Sequence, residues 1–176
     1  MNLNVVLFQP QIPQNCGNAA RTCAVTGAAL HLVGPMGFAI DDAKLKRAGL
    51  DYWHYLDITV YTDADDFFRR TAGGAYVYFT SKGTRPHSGI SYPDGVFLIF
   101  GSETNGLPED LLFANPDTSV RIPMLSEVRC LNLSSAAAVG IYEVLRQWEY
   151  PQLSANGRLA RYDWTDDNHQ SQDLII

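Results

Sequence analysis

Short apolar runs, each closed by Gly, Pro or Asn, alternate in this sequence with segments of helical spacing. Residues 5–8 (VVLF) and 96–100 (VFLIF) contain no polar side chain, so each predicts a strand that is buried on both faces. Strands that alternate with helices further predict parallel pairing, with ligands bound beyond the carboxyl ends of the strands. We therefore predict an α/β fold with a mostly parallel sheet flanked by helices.

Extended and helical segments succeed one another along most of the chain. Strands are predicted over residues 4–9, 30–33, 58–61, 76–80, 96–100 and 120–122, and helices over 15–28, 63–71, 108–113 and 131–148, with a short amphipathic segment at 41–48. The longest helix places Leu133, Ala137 and Ile141 on one apolar face. After Pro151 the sequence is polar and loses periodicity, so we predict one domain over 1–152 and a tail over 153–176 that is disordered in part.

Composition argues against several classes of protein. The apolar runs fall far short of the roughly 20 residues that a membrane helix needs, and no signal-peptide pattern is expected. The chain has 3 cysteines and no Cys-x-x-Cys pair, so we expect no disulfide framework and no metal site, and a reducing cytoplasm fits best. The net charge of −6 argues against nucleic acid, but the acidic residues cluster in 63–66 and in the tail, which leaves a local basic patch open.

The first polar segment of interest is 15–21 (NCGNAAR), which lies in the first predicted helix. Arg21 follows Asn18 by about one helical turn, and the two amides of this segment, Asn15 and Asn18, together with a guanidinium suit phosphate and ribose hydroxyls. An asparagine-rich helix start with a solvated arginine is the alternative interpretation.

Two further segments follow predicted strands. Residues 100–108 (FGSETNGLP) lack the Lys and Ser or Thr of a phosphate loop, and the chain has no Gly-x-Gly-x-x-Gly motif. What remains is a sharp turn that either holds Glu103 near the edge of the sheet or leaves it solvated. Residues 129–138 (RCLNLSSAAA) begin a helix with Asn132 and small side chains, which indicates close backbone approach or tight packing alone.

Taken in order, these segments resemble the three motifs of the SPOUT RNA methyltransferase superfamily. The resemblance is carried by Asn15-x-Gly-Asn-x-x-Arg21, by Phe100-Gly-x-Glu103-x-x-Gly-Leu-Pro108, and by Ile122-Pro-Met with Asn132-Leu-Ser and Tyr142-Glu143. Within the superfamily, His31-x-x-x-Pro35-Met-Gly-Phe38, Arg47-Ala-Gly-Leu-Asp-Tyr52 and Lys82-Gly-Thr are similar to the TrmL-type tRNA 2′-O-methyltransferases, which modify the wobble nucleotide. The resemblance covers residues 3–151.

The resemblance implies a deep C-terminal trefoil knot whose loops bind S-adenosylmethionine. The cofactor-binding positions that it implies are Thr80, Gly101, Glu103, Ile122, Cys130 and Leu131. Because such loops hold the ligand through backbone groups, we expect Gly101 to be small so that the ligand can approach. Family members commonly have Ser at the position of Cys130, and a thiol is a poorer hydrogen-bond donor than a hydroxyl. Cys130 is therefore expected to keep the role of that serine only if the backbone, and not the side chain, carries it.

The resemblance also implies residues that act on the substrate. The family's proposed base corresponds to Arg21, but arginine stays protonated in proteins, so we prefer that it positions a phosphate and stabilises developing alkoxide charge. Tyr142 is the second candidate catalytic residue, with a core or interface aromatic as its alternative. Substrate contacts are predicted at Asn18, Lys44, Arg47, Arg129 and Asn132, and Lys46, Lys82 and Arg85 are further phosphate contacts or part of a solvated face.

The implied function is methylation of the ribose 2′-hydroxyl of a wobble cytidine or uridine in tRNA. The implied protein is a cytoplasmic homodimer that binds the anticodon stem-loop, with no membrane and no metal partner. In the family, the first and last helices pack across a twofold axis, and the arginine of one subunit completes the site of the other. Three alternatives stay open: methylation of another RNA such as ribosomal RNA, a non-catalytic RNA-binding module of the same fold, and an α/β protein that uses another nucleotide.

Overall fold

Parallel strands form one sheet in the structure, a computed structural model that describes residues 1–38, 56–161 and 164. The strands are β1 (Asn4–Phe8), β2 (Ala29–Val33), β3 (Ile58–Tyr61), β4 (Tyr76–Phe79), β5 (Arg85–Pro86), β6 (Phe97–Phe100) and β7 (Ser119–Arg121). Their order is β3-β2-β1-β6-β4-β7-β5, and each neighbouring pair is parallel. The predicted parallel α/β sheet is therefore confirmed.

Helices cover both faces of this sheet. They are α1 (Pro13–Thr26), α2 (Ala64–Arg70), α3 (Glu109–Phe113) and α4 (Leu133–Gln147). The predicted start of α1 at Asn15 is wrong by two residues, because the helix begins at Pro13, whose fixed φ suits the first turn. Gly27 ends α1 with φ 74°, a left-handed conformation that favours glycine. The segment predicted at 41–48 lies outside the described residues.

Alternate residues of each strand supply two separate cores. Val5 and Leu7 face α1 and α4, and they pack in the larger cluster of buried residues. Val6 and Phe8 face the opposite side of the sheet, where Phe67 of α2 is fully buried. A period of two along a strand produces this division, and burial of both faces explains why the strands are apolar throughout.

The middle of α4 is held against the ends of two central strands. The rings of Phe79 and Phe100, at the ends of β4 and β6, stack with centroids 4.6 Å apart. Gly140 of α4 lies directly over them, because a Cβ at this position would be 3.0 Å from an atom of each ring. The carboxyl edge of the sheet and α4 are therefore in close contact.

Past α4 the described residues form no further helix or strand. Leu153 still packs against the larger core, although it falls in the predicted tail. The strand β5 was not predicted; it pairs with β7 at the edge of the sheet. Among the described residues, no helix is long and apolar enough to cross a membrane.

Candidate functional site

A cavity of about 770 Å³ opens at the carboxyl edge of the sheet. Its walls come from the residues that directly follow β4, β6 and β7 and from the start of α4, because parallel strands bring their carboxyl ends to one edge. The six positions predicted to bind the cofactor all line this cavity: Thr80, Gly101, Glu103, Ile122, Cys130 and Leu131. Arg129 and Asn132, predicted to contact substrate, line it as well.

Gly101 is required by the protein's own backbone. A Cβ at this position would lie 2.5 Å from the carbonyl oxygen of Gly106, and it would be closer still to the Leu107 amide nitrogen. The turn closes on itself through the amide of Gly106, which donates to the carbonyl of Ser102 at 2.9 Å. The turn alone therefore excludes a side chain at Gly101, and the expectation that a ligand also approaches this glycine stays a prediction.

Glu103 is half-buried and accepts several hydrogen bonds, so the solvated alternative is wrong. Its carboxylate accepts from the backbone amides of Gln11, at 2.8 Å, and Ile12, at 3.1 Å, just before α1. It also accepts from Nδ2 of Asn15 at 2.7 Å. Burial raises the pKa of Glu103, but the hydrogen bonds from Asn15 and from these amides outweigh burial and hold the pKa below its usual value.

Asn15 connects Glu103 to the start of α4 and was absent from the predicted site residues. It is only 4% exposed, and its Oδ1 accepts from Nδ2 of Asn132 at 2.8 Å. Oδ1 of Asn132 in turn accepts from the amides of Ser134 and Ser135, at 3.0 and 3.3 Å, and so caps α4. We call the chain Glu103–Asn15–Asn132 the amide relay; it joins all three sequence motifs.

The predicted catalytic residues lie away from the cavity within the chain. Asn18 and Arg21 are exposed on the outer face of α1, one helical turn apart. Tyr142 of α4 is 47% exposed and lines a second, smaller groove of about 420 Å³ with Val25 and Tyr150. The structure therefore brings together the predicted cofactor positions, but it does not bring Arg21 or Tyr142 to the same cavity.

Two basic side chains, Lys82 and Arg129, line the cavity. Lys82, which lines it, forms an ion pair with Glu109 of α3, and this hydrogen bond lowers the pKa of Glu109. Arg85 lies 3.5 Å from Asp117 at the neighbouring edge of the sheet. Lys44, Lys46 and Arg47 lie outside the described residues. Within the part of the chain that is described, no group of three or more His, Cys, Asp or Glu side chains could hold a metal ion.

The cysteines divide into buried and exposed thiols. Burial raises the pKa of Cys16 and of Cys23 to about 12, and the nearby charge of Glu103 adds to the effect at Cys16. Cys130 is exposed on the wall of the cavity. The two buried thiols are therefore packing residues with little nucleophilic character.

A parallel sheet with a polar cavity at the carboxyl ends of its strands defines the class of α/β ligand-binding enzyme domains. Within this class, the chain belongs to the SpoU rRNA Methylase family, which matches residues 2–142. The predicted family is thereby confirmed.

Individual relatives extend this result over most of the chain. An Escherichia coli (strain K12) protein named tRNA (cytidine(34)-2′-O)-methyltransferase is 47% identical over 150 residues, which is 85% of this chain and 96% of the relative. A solved structure described as "Structural insights into the 2-OH methylation of C/U34 on tRNA" has a TM-score of 0.79 at 42% identity and covers 84% of this chain and 97% of its own. The SpoU methyltransferase AviRb from Streptomyces viridochromogenes, in complex with the cofactor AdoMet, has a TM-score of 0.72 at 26% identity and covers 84% of this chain and 58% of its own.

Proposed function

We propose that this chain transfers a methyl group from S-adenosylmethionine to the ribose 2′-hydroxyl of the wobble cytidine or uridine of tRNA, in the cytoplasm. The observation that carries the proposal is the junction of all three motifs at one cavity, in a chain 47% identical to a tRNA (cytidine(34)-2′-O)-methyltransferase. Proteins of one fold can differ in activity, so the argument rests on the site as well as on the family.

The cavity suits the proposed cofactor in size and in chemistry. Its volume of about 770 Å³ lies within the usual range for small-molecule sites, about 300–1,000 Å³. Leu107, Ile122 and Leu133 supply apolar wall for a nucleoside, and the backbone after each strand supplies donors and acceptors. When bound, S-adenosylmethionine supplies an electrophilic methyl group on a sulfonium sulfur. Thr80, Gly101, Ile122, Cys130 and Leu131 are the residues that would hold it.

The protein's own contribution to the reaction is alignment and charge stabilisation. Arg21 carries a permanent cation on the outer face of α1, where it would bind a phosphate and stabilise negative charge as the ribose oxygen loses its proton. Arg129 and Lys82 would contact the RNA backbone beside the cavity. Asn18 and Asn132 would orient the ribose, and Lys44 and Arg47 would bind more of the anticodon stem-loop.

We further propose that the described helices α1 and α4 form a twofold dimer interface. Their outer faces expose the apolar side chains of Val25, Val139 and Tyr142 at 54%, 38% and 47%, which a partner surface would cover. A partner docked there would bring its Arg21 and Tyr142 toward the cavity of the first subunit. Val139→Glu is expected to yield monomers by light scattering coupled to size-exclusion chromatography, and a dimer that survives this change would contradict the proposed interface.

We also propose that the chain after β7 is knotted. β7 lies between β4 and β5, which are consecutive in the sequence, so their connection must cross β7. At that crossing a Cβ on Gly83 would be 2.7 Å from the carbonyl carbon of Val120. The chain then continues to α4 on the α1 side of the sheet, a path that suits threading through this connection.

Nucleoside mapping tests the proposed function directly. Purified protein, S-adenosylmethionine and tRNA transcripts with C or U at position 34 are expected to yield 2′-O-methylated nucleoside by mass spectrometry at that position. Arg21→Ala is expected to abolish transfer while S-adenosylhomocysteine still binds. Arg69→Ala is the matched control, because Arg69 is 75% exposed on α2 and its ion pair with Asp66 contributes little. Methylation of ribosomal RNA alone would contradict the proposal and favour a methyltransferase that acts on another RNA. RNA binding with no methyl transfer would contradict it and favour a non-catalytic RNA-binding module.

A further inference from the structure

We propose that Asn15 is a positioning residue that sets the place of α1, and with it Arg21, relative to the cofactor cavity through the amide relay. This inference rests on the proposed function, and it assigns a role to a residue that contributes no reacting group. Asn15 is the middle member of the relay and is 4% exposed, so water does not replace its partners.

The direction of each hydrogen bond in the amide relay is fixed from both ends. At one end, Glu103 is held in its charged form and can only accept, so Asn15 must present its Nδ2 to it. At the other end, the first backbone amides of α4 can only donate, so Asn132 must present its Oδ1 to them. Only one pairing then remains between the two amides, in which Nδ2 of Asn132 donates to Oδ1 of Asn15.

The amide relay connects parts of the site that are distant in sequence. Asn15 bonds to residues 88 and 117 positions further along the chain. It lies on the same rigid helix as Arg21, about 9 Å before it at the rise of an α-helix. Because Glu103 also holds the amides of Gln11 and Ile12, the entry to α1 is anchored to the cofactor loop at three points. A change of polarity at Asn15 therefore shifts α1 against the cavity without removing any group that faces the ribose.

Asn15→Asp is the sharpest single perturbation, because it conserves size and replaces the donor with a second carboxylate facing Glu103. A misplacement of about 1 Å can cost about 100-fold in rate, so we expect kcat to fall by about that factor. The dissociation constant of S-adenosylhomocysteine, measured by calorimetry, is expected to change by less than about fivefold. A residue that merely supports the cavity wall would lower cofactor affinity as much as kcat.

The double variant N15D/E103Q restores the polarity of the amide relay. Asn15 and the Ile12 amide share one oxygen of Glu103, and the Gln11 amide bonds to the other. In the double variant, the amide at position 103 can donate its Nε2 to the carboxylate at position 15, and its oxygen can still accept from the Gln11 amide, so only the bond from the Ile12 amide is lost. The new carboxylate at position 15 also still accepts from Asn132. Glu103→Gln alone instead sets its Nε2 either against the Gln11 amide or against both Asn15 and the Ile12 amide. We therefore expect both single variants to be impaired, and the double variant to regain about tenfold in kcat over Asn15→Asp, a non-additive result.

Thermal melting of the wild type, the two single variants and the double variant gives a second double-mutant cycle, which does not depend on catalytic activity. The double variant is expected to melt above both single variants, even if Asn15→Asp folds poorly. Full kcat in Asn15→Asp, or a double variant that is no better than the worse single variant in both rate and melting, would overturn the inference. If the wild type methylates no tRNA, the proposed function fails, and the melting cycle together with S-adenosylhomocysteine affinity alone decides the role of the amide relay.

Discussion

Replacing Gly101 by Ala tests whether the turn after β6 shapes the cavity. The added Cβ would lie 2.5 Å from the carbonyl oxygen of Gly106, and real Cβ contacts essentially never fall under 3.0 Å. The turn must therefore open by about 0.5 Å at that oxygen, and by more at the adjoining peptide, since no flexible side chain is there to yield. Residues 106 and 107 line the cavity, so the displacement reaches the ligand site directly.

The size of the effect follows from the cost of overpacking, which is about 1–3 kcal/mol. If binding must restore the original turn, the same free energy is lost from cofactor affinity, which weakens by about 5- to 150-fold. Calorimetry with S-adenosylhomocysteine measures this affinity, and urea unfolding measures the remaining cost to stability.

Gly27→Ala provides the matched control. Gly27, unlike Gly101, has a positive φ, of 74°, so a side chain there is strained by the backbone conformation alone: a Cβ meets nothing within 4 Å, and the residue does not line the cavity. We expect it to lower the free energy of unfolding by about 1–2 kcal/mol with unchanged cofactor affinity. A Gly101→Ala protein with the affinity and stability of the wild type would refute the reasoning.

Two further predictions concern the opposite face of the sheet. Burial lowers the pKa of His31 to about 4, with Asp57 opposing and Arg70 adding to the shift. In the unfolded chain this histidine binds its proton near pH 6.5, so the free energy of unfolding falls by about 2 kcal/mol as the pH drops from about 7 to about 5. His31→Gln should reduce this loss in urea unfolding measured across the same pH range. A variant whose stability depends on pH as strongly as that of the wild type would contradict the assignment to His31. Phe67→Ala should lower the free energy of unfolding by about 3–5 kcal/mol, because Phe67 is fully buried. The affinity for S-adenosylhomocysteine should stay unchanged, and a weaker affinity would contradict the separation of the two cores.

Periodicity predicted the larger elements well because burial of both sheet faces leaves a strong apolar signal. The run at 96–100 became β6 (Phe97–Phe100), and the long helical pattern became α4 (Leu133–Gln147). By contrast, β5 (Arg85–Pro86) has no strand signal, because it is exposed and forms only where β7 offers a partner. The sequence around residues 85–86 does not show that another strand will lie beside them.

The site was predicted in part for a similar reason. The motifs placed Gly101, Glu103 and Asn132 at one edge, and the structure brings them to one cavity. Asn15 was recognised as part of the first motif but not as a site residue, because its bonds to Glu103 and Asn132 depend on two other motifs, whereas an asparagine near a helix start already has a local explanation as a cap. The second reason for a glycine at position 101 was missed, because a sequence pattern does not reveal a backbone contact with Gly106 and Leu107.

The cavity is lined by residues 12 and 15 before and in α1, by residues 79–82 and 100–107, and by residues between 122 and 136 that lead into α4, so it is complete only when segments far apart in the sequence have packed together. A compound that binds there recognises only the finished fold, and at 100 times its dissociation constant it adds about 2.7 kcal/mol to the unfolding free energy. Proteases in a cell attack the opened chain, so a ligand held in this cavity would also lengthen the time that each molecule survives.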